Sequence, residues 1–353
     1  MLNKNHCTKK VMMVGSAEKS PGGVASVIKT MKEMPFWGKH DCFWLGTQIQ
    51  SGYPTKLWYA LRSYFVALFK MWRYDIIHFH TVADLICLVI QLPVFLLALI
   101  GQKTIIMHIH MGNQIGEHTN DRLFNWCMRK ADLIIVLAKI WKEKFDKEWF
   151  KDLGTPVTYL YNAYSPVEAL PYEERKKHIL MAAYLNDNKA YQVLFKAFKR
   201  IKDDYKDWNL LILGNGEVEK AMSLAKEMGI SHRTTFTGYL TGKKKQEVFQ
   251  HASIYCMCSY QEGFPMVILE SWGYGIPVVT TPVGGLPDVL DDGKNALVFP
   301  FGDDESLANK LEQLIDDFPK CKEISEYSQI FVKQNFSKEK INSDIEKIYE
   351  SFD

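Results

Sequence analysis

Short runs of consecutive apolar residues alternate with segments of helical periodicity along the whole chain. Apolar runs of this length predict strands buried on both faces, which occur in parallel sheets with helices on each side. The predicted strands of the first half lie at residues 10–15, 75–80, 104–110, 131–137 and 157–161. Those of the second half lie at residues 178–183, 208–214, 234–238, 253–257, 276–281 and 296–299. The alternation therefore predicts an α/β fold.

A gap in this alternation divides the chain. Residues 163–175 contain two prolines and have no periodicity, which predicts a linker. We expect two doubly wound, Rossmann-like domains, residues 1–165 and 166–335, and a C-terminal helix over 336–353 that packs back toward the first domain. Ligands bind beyond the carboxyl ends of the strands in such sheets, so we expect the two domains to face a central cleft.

The composition excludes several classes of protein. The 353 residues carry 43 Lys and Arg against 41 Asp and Glu, and this net charge of +2 gives no reason to expect nucleic-acid binding. Seven cysteines, including Cys7, are scattered without a CxxC pair, which predicts free thiols in a reducing compartment. Met1–Lys10 is polar and basic and lacks the apolar region of a signal peptide, so we expect a cytoplasmic protein.

Residues 85–102 contain no charged side chain. A helix that spans a membrane needs about 20 apolar residues, and this run also contains Gln91 and Pro93 and has strand-like flanks. We therefore expect a buried core helix here.

The strongest chemical signal lies at residues 261–288. Glu262 and Glu270 are separated by seven residues, and Pro265 suits the first turn of a helix that begins between them. We expect this helix to end near Gly273 or Gly275. The backbone N–H groups at its start would bind a diphosphate or sugar hydroxyls, and they belong to Phe264, Met266 and Val267.

This segment resembles the signature of the retaining glycosyltransferases of family four, which have the GT-B fold. The family pattern is E-G-F-x-x-x-x-x-E, then G-x-P-V-V, then G-G before an acidic residue. The chain supplies it as Glu262-Gly263-Phe264, Glu270, Gly275-Ile-Pro-Val-Val279, and Gly284-Gly285 before Asp288. Further landmarks occur in the family's order, at Gly22-Gly23, Asp75 to His80, His108 to His110, Ala131-Asp132, Asn162, Leu213 to Gly216 and Phe236 to Gly238.

The resemblance implies transfer of a sugar, with retained anomeric configuration, from a UDP- or GDP-linked donor. It implies no metal or other cofactor, and an acceptor that is a glycan or a lipid-linked glycan, in the assembly of a cell-surface polysaccharide. The first domain would bind the acceptor and the second the donor. By resemblance, Glu270 holds the donor ribose, and His110, Lys189 and Glu262 are the catalytic residues. The other donor-binding positions would be Gly22, Gly23, Gly214, Tyr239, Leu240, Phe264, Met266 and Val267.

Two positions depart from the family pattern. Lys189 matches the family's Lys-Gly pair, but Ala190 replaces the glycine. Ala183-Tyr184 stands where the family has Gly-Arg, so the arginine that shares the diphosphate is absent. Either a lysine of the run 243–245 replaces it or that run is a solvated helix start, and a non-catalytic relative is an open alternative.

Four histidines suggest a rival function. His78 and His80, and likewise His108 and His110, lie two residues apart and therefore on one face of a strand. Two such pairs would suit zinc in a metal-dependent hydrolase, which leaves residues 261–288 unexplained. The family resemblance needs only His110, at a strand end, and makes His78 and His108 core residues.

Residues 42–74 contain no Asp or Glu, and residues 56–73 have helical periodicity. Basic residues fall on one third of this helix, and a wide face rich in Trp and Phe occupies the rest. One interpretation is a helix that packs on the first sheet. The other is a helix that lies on a membrane surface, which would make the protein peripheral to the inner face of the cell membrane.

Overall fold

A computed structural model describes residues 9–20, 22–49 and 51–352. It divides into two compact units, one formed by residues 1–163 with 338–353 and the other by residues 164–337. The first eight residues, which include Cys7, lie outside the described residues.

The first unit contains a parallel sheet of six strands in the order β2-β1-β3-β4-β5-β6. Its strands are β1 Val11–Ser16, β2 Phe43–Gln48, β3 Ile76–Thr81, β4 Thr104–Ile109, β5 Leu133–Val136 and β6 Val157–Tyr159. Its helices before the second unit are α1 Gly23–Lys32, α2 Pro35–Lys39, α3 Tyr53–Lys70, α4 Leu85–Ile100, α5 Arg122–Lys130 and α6 Lys139–Lys144. The strand order reverses between β1 and β3, which is where such sheets bind ligands.

The sequence did not predict β2. This strand lies at the edge of the sheet and pairs only with β1 among the described strands, so its side chains are mostly half-buried rather than uniformly apolar. Two further contacts hold it at the end of β1: Trp44 Nε1 donates to Ser16 O at 3.0 Å, and the N–H of Ala17, just after β1, donates to Gln48 O at 2.7 Å.

The second unit contains another parallel sheet, in the order β12-β11-β10-β7-β8-β9. Its strands are β7 Lys176–Ala182, β8 Asn209–Leu213, β9 Thr234–Gly238, β10 Ala252–Met257, β11 Val278–Thr280 and β12 Leu297–Val298. Its helices are α7 Tyr191–Ile201, α8 Val218–Glu227, α9 Gly242–His251, α10 Met266–Gly273, α11 Asp304–Asp316 and α12 Phe318–Phe336. All six strands match the sequence prediction, and the order reverses between β7 and β10.

The last helix, α13 Lys338–Glu350, belongs to the first unit. Asn342 Oδ1 accepts the backbone N–H of Phe36 at 2.7 Å at the start of α2. The fully buried Tyr349 packs its ring edge-on against Phe36 and His40, and its hydroxyl lies 2.8 Å from His78 Nδ1. The helix therefore completes the core of that unit.

The prediction of a buried core helix at residues 85–102 is wrong for one face of α4. Leu88, Val94 and Phe95 are buried, but Ile86 is 69% exposed and Ile100 is 73% exposed. No helix in residues 9–20, 22–49 and 51–352 is both long and apolar enough to cross a membrane.

Helix α3 does not cover the sheet with its wide apolar face, as one of the two interpretations of the sequence expected. It packs through small side chains, Ala60, Ser63 and Ala67, which lie three to four residues apart and are buried. Its large aromatic and aliphatic side chains point outward, and Phe65 and Phe69 are 65% and 74% exposed.

Candidate functional site

The carboxyl ends of β7 and β10 lie side by side where the strand order of the second unit reverses. Asn188, in the loop after β7, holds the loop after β10 through three hydrogen bonds. Its side chain accepts from Gln261 N–H and donates to Gln261 O, both at 2.9 Å, and its carbonyl accepts from Tyr260 N–H at 2.9 Å. The two loops that carry Lys189 and Glu262 are therefore fixed against each other.

Lys189 and Glu262 meet across these loops. Lys189 Nζ forms an ion pair with Glu262 Oε1, and the two side chains are only 22% and 14% exposed. A turn orients the lysine, because Asn186 Oδ1 accepts the Lys189 N–H at 3.2 Å. Because the pair is largely buried, removal of either partner would leave the other charge unpaired and poorly solvated, which is costly.

Ala190, where the family pattern has glycine, adopts a backbone conformation that favours glycine. Its φ of 46° and ψ of 40° are left-handed, and the residue is fully buried just before α7. A non-glycine residue in this conformation costs about 1 kcal/mol. Alanine in place of glycine therefore adds local backbone strain but does not disrupt the turn that carries Lys189.

Helix α10 carries Glu270, and its ends agree with the prediction. Pro265 is the N-cap, one position earlier than predicted, so the helix starts at Met266 and Val267, whose N–H groups precede the first intrahelical hydrogen bonds. After the helix ends at Gly273, Gly275 adopts φ 68° and closes the end. Phe264 is buried against Phe336, so any contact it makes with a ligand is through its backbone.

Glu270 has a partner that the sequence did not assign to it. Lys245 Nζ lies 2.6 Å and 2.8 Å from the two carboxylate oxygens of Glu270, and both side chains are about 30% exposed. The lysine comes from α9, so of the run 243–245 this residue at least is more than a solvated helix start. The site thus holds two lysines and two glutamates, paired one to one.

The neighbouring strand ends contribute glycine and tyrosine. A Cβ atom on Gly214 would lie 1.8 Å from Ala183 O, and the residue has φ 144°, so only glycine fits where β8 ends beside β7. Tyr239, after β9, is 58% exposed, and Leu240 is half-buried beside it. Tyr184, where the family has arginine, is 61% exposed.

In the first unit, the predicted residues also lie at the carboxyl edge of the sheet. Gly22 is the N-cap of α1 with φ 118°, a conformation that favours glycine, and Gly23 begins the helix. A Cβ atom on Gly23 would meet no atom within 4 Å, so its surroundings are open. His110 follows β4, and its N–H donates to Thr81 O at 2.8 Å.

His110 is one of four stacked histidines at the end of β3 and β4. Successive ring centroids lie 4.5 Å apart for His78 and His80, 5.0 Å for His80 and His110, and 4.3 Å for His108 and His110. His80 Nδ1 lies 2.8 Å from His110 Nε2. Burial, and then the neighbouring rings, hold the pKa values of His80 and His108 well below the usual range, and burial lowers the pKa of His110 to about 3.

Comparison with known proteins identifies the second unit. The family described as "Glycosyl transferases group 1" matches residues 167–331. The second unit belongs to this family.

Relatives of this group 1 domain match over part of their length. An uncharacterized glycosyltransferase from Haemophilus influenzae is 27% identical over 220 residues, 60% of this chain and 59% of the relative. The lipopolysaccharide core biosynthesis glycosyltransferase LpsE of Rhizobium meliloti is 31% identical over 156 residues, 44% of each chain. The chain therefore matches less than two thirds of the length of these curated relatives.

Solved structures show that almost the whole chain has the GT-B fold. The structure of Anabaena Alr3699/HepE in complex with UDP-glucose has a TM-score of 0.76 and 18% identity, over 97% of this chain and 100% of that chain. The prediction of two doubly wound α/β sheets of the GT-B type is confirmed.

The histidine cluster does not favour the metal-dependent alternative to a group 1 enzyme. Nitrogens of His78, His80 and His108 lie within 4.8 Å of one another, as ligands of one ion would. Both nitrogens of His80 are engaged, however, by His110 and by Met13 Sδ at 3.3 Å. The near-parallel planes of His78 and His108, 20° apart, are typical of stacking rather than of side chains that converge on zinc.

Proposed function

We propose that this protein is a retaining glycosyltransferase that moves a sugar from a nucleotide-sugar donor to a glycan or lipid-linked acceptor. The observation that carries the proposal is the pair of lysine–glutamate contacts at the strand reversal of the group 1 domain, beside the start of α10. A nucleotide diphosphate sugar offers what each of these groups would bind: negative phosphates, and hydroxyls on two sugars.

The donor would exchange partners with the two ion pairs. Its diphosphate would draw Lys189 from Glu262 and would accept the N–H groups of Met266 and Val267 at the helix start. Glu262 would then accept hydroxyls of the transferred sugar, and Glu270 those of the ribose. Tyr239 and Leu240 would lie against the base, and Lys245 would supply the charge that the missing arginine gives in the family.

The first unit would bind the acceptor. His110 would donate or accept a hydrogen bond to a sugar hydroxyl of the acceptor at the end of β4, whereas Gly22 and Gly23, which leave the start of α1 open to a close approach, keep their predicted role in donor binding. Both lie at the carboxyl edge of the sheet, where doubly wound folds bind ligands. The likeness to the Rhizobium lipopolysaccharide enzyme supports a cell-surface glycan as the product, and the likeness to the Anabaena structure with UDP-glucose supports a UDP-linked donor.

Replacement of Glu270 by glutamine tests the donor site. We expect the affinity for the donor to fall by about 10- to 150-fold, because a charged hydrogen bond contributes about 1.5–3 kcal/mol. UDP-glucose, UDP-galactose, UDP-N-acetylglucosamine and GDP-mannose are first screened by thermal shift, and calorimetry then measures the best binder. Glu227→Gln, at the exposed end of α8, is the matched control and should bind like the parent. Unchanged affinity in Glu270→Gln would refute the assignment.

We also propose that transfer needs no metal ion, since Lys189, Lys245 and the start of α10 supply positive charge to the leaving diphosphate. The sequence contains no Asp-x-Asp pair of the kind that holds a metal-bound diphosphate. Sugar transfer should therefore continue at an unchanged rate in EDTA. A loss of transfer that manganese or zinc restores would contradict this proposal.

A further inference from the structure

Helices α3 and α4 present a continuous apolar surface to solvent, here named the α3–α4 surface. Its members on α3 are Leu57, Trp58, Leu61, Phe65, Leu68, Phe69 and Trp72 just beyond the helix end, each at least 45% exposed. Its members on α4 are Leu85, Ile86, Val89, Leu96 and Ile100, each at least 41% exposed. Monomeric soluble proteins rarely expose contiguous apolar patches beyond a few hundred Å², and larger patches mark a binding surface.

The two helices enclose a groove between them. It has a volume of about 470 Å³, and its lining residues are Leu61, Tyr64, Phe65, Leu68, Pro93, Leu96, Leu97 and Ile100. Trp72 Nε1, a polar atom at the edge of the surface, donates to Leu68 O at 2.7 Å. Its indole ring can therefore enter an apolar phase without losing a hydrogen bond.

Cations without acidic partners surround this surface. Residues 42–74 and 85–102 contain no Asp or Glu, and the flanking cations are Lys56, Arg62, Lys70, Arg73 and Lys103. None of these five forms an ion pair with any residue in the described part of the chain. Lys70 instead lies 4.4 Å from the centre of the Phe43 ring, and Arg62 lies 5.7 Å from that of Trp58.

We propose that the α3–α4 surface inserts into the headgroup region of an anionic lipid bilayer. The large apolar side chains would enter the acyl boundary, and the five cations would meet the lipid phosphates. A second copy of the chain is a poorer occupant, because a symmetric contact would bring the same unpaired cations together. The surface does not span the bilayer, since the 16 residues of α4 reach only about 24 Å, against a core of about 30 Å.

Vesicle flotation of the full chain tests the proposal. Phosphatidylcholine vesicles are compared with vesicles that contain about 30% phosphatidylglycerol, at about 0.1 M and 0.5 M salt. We expect binding to the anionic vesicles that weakens at high salt. Phe65→Ser with Phe69→Ser should weaken it by about 30-fold or more, and Arg62→Gln with Lys70→Gln by about 10- to 30-fold.

Matched variants on the second unit control for general losses. Met222→Ser with Ile330→Ser removes two side chains that are 52% and 58% exposed, and Lys199→Gln with Lys333→Gln removes two exposed charges. Both pairs should float like the parent, and thermal melting verifies that every variant is folded. Equal flotation of parent and α3 variants would overturn the proposal. If the protein forms a dimer without lipid, and the double variant Phe65→Ser with Phe69→Ser dissociates it, the surface would instead bind a second copy of the chain.

Discussion

Replacement of Lys189 by methionine is expected to lower the rate of sugar transfer by about 10²- to 10³-fold, with a smaller loss of donor affinity. The charge on the diphosphate grows as the glycosidic bond breaks, so a cation beside it stabilises the transition state more than the bound donor. Steady-state kinetics separate the two effects, because loss of a transition-state contact lowers kcat and kcat/KM together.

Three variants make this result interpretable. Lys220→Met removes a lysine of α8 whose Nζ lies 3.0 Å from Asp187 Oδ1, in the turn that carries Lys189. This variant should leave turnover unchanged. Lys189→Arg keeps the charge and should recover part of the rate. Lys189→Met with Glu262→Gln removes the half-buried carboxylate that the single variant leaves unpaired. A single variant that loses affinity and turnover equally would remove the proposed transition-state role of Lys189.

Most of the fold follows from the sequence because most of its strands are internal. A strand covered by helices on both faces is apolar along its buried length, as residues 179–182 of β7 and 254–257 of β10 are. Strand β2 is an edge strand, where half-burial permits Gly46 and Gln48, so the same rule could not find it.

The site was partly predictable for a different reason. Glu262 and Glu270 stand at a fixed spacing around a helix start, so local sequence places them. Lys245 comes from another helix, and only the packing of α9 beside α10 brings its Nζ to Glu270. Likewise, the periodicity of α3 defines two faces, but the small residues Ala60 and Ala67 decide which face packs. That choice depends on how much space lies between the helix and the sheet, and the periodicity of the sequence carries no information on it.

The stacked histidines predict a large loss of stability in mild acid. Burial lowers the pKa of His78 and of His110 to about 3, and the pKa values of His80 and His108 also lie well below their usual range. In the unfolded chain, each ring would titrate near its ordinary value of about 6.5. Below that pH the unfolded state binds more protons than the folded state, so the free energy of unfolding falls as the pH falls.

The stabilisation is complete above pH 7 and is lost progressively from about pH 6.5 toward pH 3. Between pH 7.5 and 5.5, the protonation of each ring in the unfolded chain costs about 1.4 kcal/mol of stability in total, so four rings cost about 5 kcal/mol. Carboxylates hardly titrate in that window. Urea unfolding at the two pH values measures the change directly.

Removal of one ring provides the decisive comparison. Neither nitrogen of His108 has a hydrogen-bond partner within the described residues, so His108→Phe removes no bond and should reduce the pH-dependent loss by about a quarter. His232→Phe, at an exposed position of the second unit, should leave the loss unchanged. A free energy of unfolding that is equal at pH 7.5 and 5.5 would mean that the folded protein accepts these protons. The cluster would then carry charge, and its burial would not keep the rings neutral.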